Sequence, residues 1–571
     1  MVKMVNSITK MHALSNRENT AFMSRRMIDF ILWVLFAVTF VWYWSGSFIA
    51  YRLIQDESYM ALCCRDYAEQ PIAMLSFYIG WLGTQLFGDH VIVLRLLAAA
   101  SMFGAALIPC VYFYRQTGNK RWTVFLLTVC MIAIRCTRHE FFSWDTMPTI
   151  FAGWLLTILV SYVRTPSNGT ALWGAVALAM LVLSRVPTAI VAVPVCIVVI
   201  FAVGNRWGVS MKMRLRLLGK CAVLCILVSL VIMVLMCGSP TAYFGSWIPE
   251  NIINGHNLRD MVKADTHWNF SSWAFRYMCG TYWLFHWGFL ALLVTYLVKG
   301  LRRLYVGIIL LTLIIVYNVM TNPWVSFPFF AIAGSLLLYV PCHNLVERYV
   351  RHGDDIEKME PLVVWVVLFF SLVQMVGSDQ LPIRITFFYS IPLLMVFLYS
   401  RRKGILLWIM LFMTLPALAA GIRNNIDAFG QNDRLIGKLP RRELIADTKV
   451  NIDAFLTFKS LTDSLTRMDE KYLFIGPDRY ELIYFYQKDK PFHLNHFHYY
   501  YRDESLKLIH SIPDSVSVVI IKEIGIISLT PEELEPELAA MGFRKESKVG
   551  EYEVYGRRIK RKNEYDGRTR Y

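Results

Sequence analysis

Residues 170–203 read TALWGAVALAMLVLSRVPTAIVAVPVCIVVIFAV, two apolar runs parted only by Ser184-Arg185-Val186-Pro187. In hydrocarbon every backbone N–H and C=O must find its partner within the protein, so runs of this kind become helices. Pro187 lacks an N–H and clashes with the preceding turn, so the helix breaks at the junction. The pair therefore forms either a tight hairpin or one long broken helix.

Outward from this pair, apolar runs near the roughly 20 residues that span a bilayer recur along most of the chain. They fall at 27–50, 91–114, 122–138, 146–163, 170–184, 186–203, 217–237, 283–298, 304–320, 324–341, 361–377, 384–400 and 404–421, which makes about thirteen transmembrane helices. Lys3, Lys10, Arg17, Arg25 and Arg26 precede the first run and no small-residue cleavage site follows it, so it reads as an anchor rather than a cleaved signal peptide. Composition agrees. A chain of 571 residues with 56% hydrophobic and 18% charged residues and a mean hydropathy of +0.43 is not a string of soluble domains.

The net charge of +16 suggests a nucleic-acid partner until it is divided along the chain. From residue 422 onward 25 Lys/Arg face 24 Asp/Glu, which leaves 33 against 18 in the first 421 residues. The excess belongs to the membrane part, and no nucleic acid is expected. With the N-terminus inside, the short inner segments hold 23 of those 33 basic residues, as cytoplasmic loops should. An odd number of spans then places the C-terminal part outside. The expected organisation is a cytoplasmic segment 1–26, an all-α polytopic membrane domain 27–421 with outer loops 51–90 and 238–282, and a small extracytoplasmic α/β domain 422–571.

In that last part Lys471–Pro477 and Ser515–Lys522 read as strands. Thr530-Pro531-Glu532-Glu533 supplies an N-cap, a first-turn proline and a capping-box glutamate for a helix. All eleven Cys precede residue 343, so this domain has no disulfide framework, and the adjacent Cys63 and Cys64 are expected to be unpaired or paired elsewhere. His493, His496 and His498 lack an acidic or Cys partner at ligand spacing and read as an exposed strand. Arg557–Lys562 reads as a solvated basic tail.

Ionisable residues gather at the outer ends of the spans. Asp56, Glu57 and Glu69 lie in the first loop, Asp145 opens the fourth span, and Arg185 sits in the break. His267 and Arg276 lie in the long loop, and Arg384 opens the twelfth span. Charge at a span end is costly unless paired or used. Such a mixed cluster suits an anionic lipid headgroup, with cations on the phosphate and carboxylates free to take a proton. Plainer roles exist for single members. Asp145 also fits as a helix N-cap, and Arg185 as a residue that snorkels to headgroups.

The order Asp56-Glu57-x-Tyr59 opens the loop that follows the first span. Tyr67-x-Glu69-x-Pro71, Leu86-Phe87-Gly88-Asp89 and Arg95 follow it. Together they resemble the first outer loop of the polyprenyl-phosphate-dependent C-type glycosyltransferases, the superfamily that includes lipid A aminoarabinose transferases and protein O-mannosyltransferases. Trp144-Asp145-Thr146-Met147 resembles the family's second acidic motif and Leu183-Ser184-Arg185-Val186-Pro187 its turn. Residues 263–287 resemble the loop that closes over the donor. The resemblance covers roughly residues 27–340. It departs at Gln70, where the family often has Lys, and in the short spacing of about a dozen residues between Asp56 and Glu69.

The resemblance implies a glycosyltransferase at the bacterial inner membrane. It would move a sugar from a polyprenyl-phosphate donor to a lipid (lipid A-like), glycan or protein acceptor on the outer side. Asp56 is then the general base, while Glu69 and Asp145 orient the acceptor or, with His267, carry a weak divalent metal ion. No other cofactor is implied. Arg185, Arg276 and Arg384 hold the lipid phosphate, and Glu57, Tyr59, Gln70 and His267 contact substrate. A secondary transporter and a non-catalytic glycan-assembly or flippase protein are the alternatives. A transporter would show repeated halves and midplane charges, and neither is visible in the sequence.

Overall fold

The computed structural model describes residues 26–27, 29–45, 57–88, 91–136, 142–247, 449–468, 470–475, 509–510, 512–522, 531–550 and 552–557, with single or paired positions at 309, 362–363, 366–367, 370, 389, 392–393, 396 and 506. The spans expected between 283 and 421 lie outside these residues apart from those isolated positions, and the count of thirteen rests on them. The chain divides into two compact units. One comprises Met1–Ile49, Arg95–Val231 and Asn269–Asp427, the other Ala50–Leu94, Ile232–Trp268 and Ala428–Tyr571.

In the first unit α1 (Asp29–Ser45) is followed by α4 (Val91–Thr117), α5 (Lys120–Cys136), α6 (Thr146–Arg164), α7 (Asn168–Ser184), α8 (Ala189–Arg206) and α9 (Met211–Cys237), except that α4 before Arg95 and α9 after Val231 fall in the second unit. In the second, α2 (Glu57–Arg65), α3 (Met74–Phe87) and α10 (Pro240–Gly245) precede the C-terminal domain. Among the described residues, Ile92–Thr117, Thr146–Arg164, Val186–Arg206 and Met211–Cys237 are long and apolar enough to cross a membrane. Asp29–Ser45 and Asn168–Ser184 are shorter apolar helices. Arg185, extended at φ −161° and ψ 97°, and a single 3-10 turn at Val186–Thr188 separate α7 from α8, so the 170–203 stretch is two helices.

α9 begins at Met211 rather than near 217, because Lys212, Arg214, Arg216 and Lys220 lower the hydropathy of its first turns without opposing the helix. Val223, Ile226, Leu227, Val231 and Leu235 along it are exposed, a surface suited to hydrocarbon.

The bundle core is built on close backbone approach. Ala99, Met102 and Ala106 of α4 pack with Cys130 of α5, Ala152 and Leu156 of α6, and Tyr389. Lipid supplies no hydrophobic drive between helices, so small residues that let backbones meet carry the association. Gly153 of α6 faces the backbone of α4 directly. A Cβ there would lie 3.2 Å from the Ala105 carbonyl oxygen and 3.1 Å from Cβ of Tyr389. We expect Gly153→Leu to cost about 1–3 kcal/mol through overpacking, read as a lowered unfolding midpoint of the purified protein in detergent. An unchanged midpoint would mean that α4 and α6 are not held at this distance.

The C-terminal domain forms around a four-stranded sheet of order β1-β2-β4-β3, with β1 Tyr472–Ile475, β2 Val518–Lys522, β3 Phe543–Val549 and β4 Tyr552–Arg557. β1 and β2 are parallel and the other pairs antiparallel. All five β2 residues are buried, as a central strand requires. Helix α11 (Lys449–Arg467) packs Phe458 against Phe474 and Tyr552. Leu534 and Leu538 of α12 (Pro531–Ala540) join Leu473, Val519, Ile521 and Phe543 in a second apolar cluster. The two expected strands and the helix are present, but the β3–β4 hairpin is additional. Gly556 of β4 lies near the bulge between Lys545 and Ser547 in β3.

One expectation is corrected. Arg557 is not part of a solvated tail, since it lies in β4 with its guanidinium 4.5 Å from the Phe543 ring centroid. Its Nε donates to the Met541 carbonyl at 2.8 Å, and Nη1 lies 3.1 Å from Asp514 Oδ1. A long side chain with an aromatic face and two acceptors gains more inside this frame than in water. Residues 558–562 lie outside the described residues, as do His493, His496 and His498.

Candidate functional site

The described part of the candidate site centres on two buried charges, Asp145 at 2% and Arg185 at 3% exposure. Forty positions apart in sequence, they form an ion pair between Arg185 Nη1 and Asp145 Oδ1. Asp145 holds the N-cap position of α6, yet its side chain makes no capping bond. Hydroxyls satisfy the backbone donors just ahead of the helix. Ser143 Oγ accepts from the Asp145 N–H at 3.2 Å, and Thr146 Oγ1 accepts from the Ser143 N–H at 2.9 Å. The Asp145 carbonyl accepts from both the N–H and Oγ1 of Thr149, at 3.1 and 2.6 Å. The carboxylate is thereby released from its own helix and turned to Arg185.

The arginine side is fixed in the same manner. Its N–H donates to the Leu181 carbonyl at 3.1 Å, and its own carbonyl accepts from the Thr188 N–H at 3.0 Å and Thr188 Oγ1 at 2.7 Å. Ser184 Oγ donates to Leu181 at 2.7 Å. Each partner thus sits in a break whose backbone is satisfied locally. Arg185 is enclosed by protein rather than extended to headgroups. Sequence reasoning named both charges but missed the supporting hydroxyls. Their signal was the spacing Ser143-x-Asp145-Thr146-x-x-Thr149 and Ser184-Arg185-x-x-Thr188.

Residues 57–87 are built from α2, two 3-10 turns at Tyr67–Glu69 and Pro71–Ala73, and α3. Glu57 and Tyr59 lie in α2 and Glu69 closes the first turn, but their side chains are outside the described residues. Gln70 links the two turns; its N–H donates to the Tyr67 carbonyl at 3.1 Å, and its side chain makes no capping bond. α3 buries Met74, Phe77 and Gly80 while Leu82, Leu86 and Phe87 are exposed. Cys63 and Cys64 are buried and outside any disulfide, and Arg65 pairs with Asp66 at 3.0 Å. Asp56, His267, Arg276 and Arg384 lie outside the described residues.

Tyr67 Oη donates to the Met236 carbonyl in the last turn of α9 at 3.1 Å, and Cys237 Sγ lies 3.2 Å from Met74 Sδ. The Tyr67 ring packs 5.2 Å from Tyr78 and 5.3 Å from Trp81, which stack on each other at 5.6 Å. Burial, with Tyr78 and Cys237 nearby, raises the Tyr67 pKa, so the hydroxyl keeps its proton and remains a donor.

Of the residues considered for a metal, only the Asp145 side chain is described, and its carboxylate is turned to Arg185. Among the described residues no group of three or more His, Cys, Asp or Glu has the arrangement to hold an ion.

The sequence matches no protein-family model and no curated protein. Among solved structures it is similar to the crystal structure of ArnT from Cupriavidus metallidurans in the apo state. Identity is 12%, coverage 91% of this chain and 97% of that chain, and the TM-score 0.42. It is also similar to the crystal structure of the same organism's ArnT bound to undecaprenyl phosphate, with the same identity and coverage and a TM-score of 0.40.

Proposed function

We propose that the chain is an integral membrane glycosyltransferase that takes a sugar from a polyprenyl-phosphate donor and places it on a hydroxyl or phosphate of a lipid, glycan or protein acceptor. The observation that carries this is the buried Asp145–Arg185 pair at the ends of two membrane helices. A charged pair is costly to hold there, and a merely structural N-cap would have kept the carboxylate on its own helix. The ordered motifs around Asp56, Glu69, Asp145 and Arg185 support the same chemistry.

In the proposed reaction Asp56 removes the acceptor proton, and the acceptor oxygen attacks the anomeric carbon. The bond from that carbon to the phosphate oxygen breaks, and polyprenyl phosphate leaves with the electron pair. Direct displacement inverts the anomeric centre. The leaving group is already good, so the protein's task is to take one proton and to meet the phosphate charge. A guanidinium presents five N–H donors in a fixed fork, which lets Arg185 serve Asp145 and a phosphate oxygen together. Arg276 and Arg384 add cations, Glu69 orients the acceptor, and Glu57, Tyr59, Gln70 and His267 contact substrate. The donor is presented on the outer side of a bacterial inner membrane, where the C-terminal domain also lies.

Purified full-length protein in detergent, given polyprenyl-phosphate sugars labelled in the sugar, should release the label by transfer or hydrolysis. Folded protein that consumes none of a panel of pentosyl and hexosyl donors would overturn the proposal.

A further inference from the structure

We propose that Tyr67 is a positioning residue that latches the first outer loop to the carboxyl end of α9, an inference that rests on the transferase proposed above. Helix ends leave their last carbonyls without intrahelical donors, and Met236 lies in the final turn of a helix that ends at Cys237. The Tyr67 hydroxyl supplies the donor at 3.1 Å. Two further contacts close on the same point, the Cys237–Met74 sulfur contact and the packing of Tyr67 against the stacked Tyr78 and Trp81 rings.

Position in the chain makes the contact consequential. Tyr67 opens the 3-10 turn that Glu69 closes, so it shares one rigid turn with a proposed acceptor-orienting carboxylate. Met236 stands just before the chain leaves α9, through α10, for the segment that holds His267 and Arg276. A donor in the turn and an acceptor in the last turn of α9 fix these two described elements to each other. Asp66 and Gln70 flank the turn without side-chain caps, so the aromatic anchor is its described long-range hydrogen bond. Precise placement of catalytic groups depends on such supporting contacts.

Tyr67→Phe keeps the ring packing and removes only the hydroxyl. Hydrogen–deuterium exchange on the full chain should show amides of 67–74 and of 234–247 exchanging about tenfold faster together, the loss of one hydrogen bond in a shared opening unit. Sugar transfer by the same variant should fall about tenfold in kcat with donor KM nearly unchanged, the signature of lost positioning rather than lost binding. Faster exchange confined to 67–74, or wild-type kcat beside an inactive Asp56→Asn, overturns the latch and leaves the transferase standing. Wild-type turnover in Asp56→Asn instead removes the proposed chemistry, and the functional role of Tyr67 with it.

Discussion

Arg185→Met lowers the stability of the membrane bundle by about 3–5 kcal/mol, the usual result of stripping one partner from a buried ion pair. Asp145 is 2% exposed, so water does not replace the guanidinium that the ion pair supplies. Against a total of roughly 5–15 kcal/mol, that is a large share. The double variant Asp145→Leu/Arg185→Met recovers most of the loss, because two apolar side chains of similar volume need no solvation. The measurement is a double-mutant cycle on unfolding midpoints of the purified protein in detergent. Additive losses would show that the two charges do not depend on each other. The same double variant also separates stability from chemistry, since a well-folded protein lacking Arg185 is expected to be inactive.

Asp56→Asn lowers kcat by about a hundredfold to ten-thousandfold, the range spanned by positioned general bases. Asn preserves shape and loses only the ability to take the acceptor proton, so donor KM stays close to that of the unaltered protein. The check is single-turnover transfer with labelled donor. A kcat within roughly twofold of wild type would remove Asp56 from the proton-transfer step.

Among the described residues the apolar helices were legible in the sequence because their signal is local. Apolar runs near the needed length, closed by Arg164, Arg206 and the basic start of α9, gave elements whose ends lie within a few residues of those found. The same held for β2, a continuous apolar strand, and for α12 with its first-turn proline. β3 escaped because FRKESKV carries no alternation. Five of its residues are exposed, and it is held by pairing with β4 rather than by burial of its own.

At the candidate site the charges were legible one by one and their union was not. Asp145 fits an N-cap and Arg185 a snorkelling cation, and nothing local to either predicts that they meet. Only packing between the start of α6 and the break after α7 decides it. Tyr67 stood in a motif that pointed to Glu69, yet its partner is a backbone carbonyl 169 positions away. Backbone acceptors have no sequence signature, so contacts of this kind are found only in the folded chain.

Comparing the envelope glycolipids, glycans and glycoproteins of the source organism with and without the gene, by mass spectrometry, tests the transferase claim most directly. The expected result is at least one molecule that lacks a single sugar mass when the gene is absent and regains it with the wild-type gene but not with Asp56→Asn. An envelope with unchanged sugars, or one restored equally well by Asp56→Asn, would contradict it.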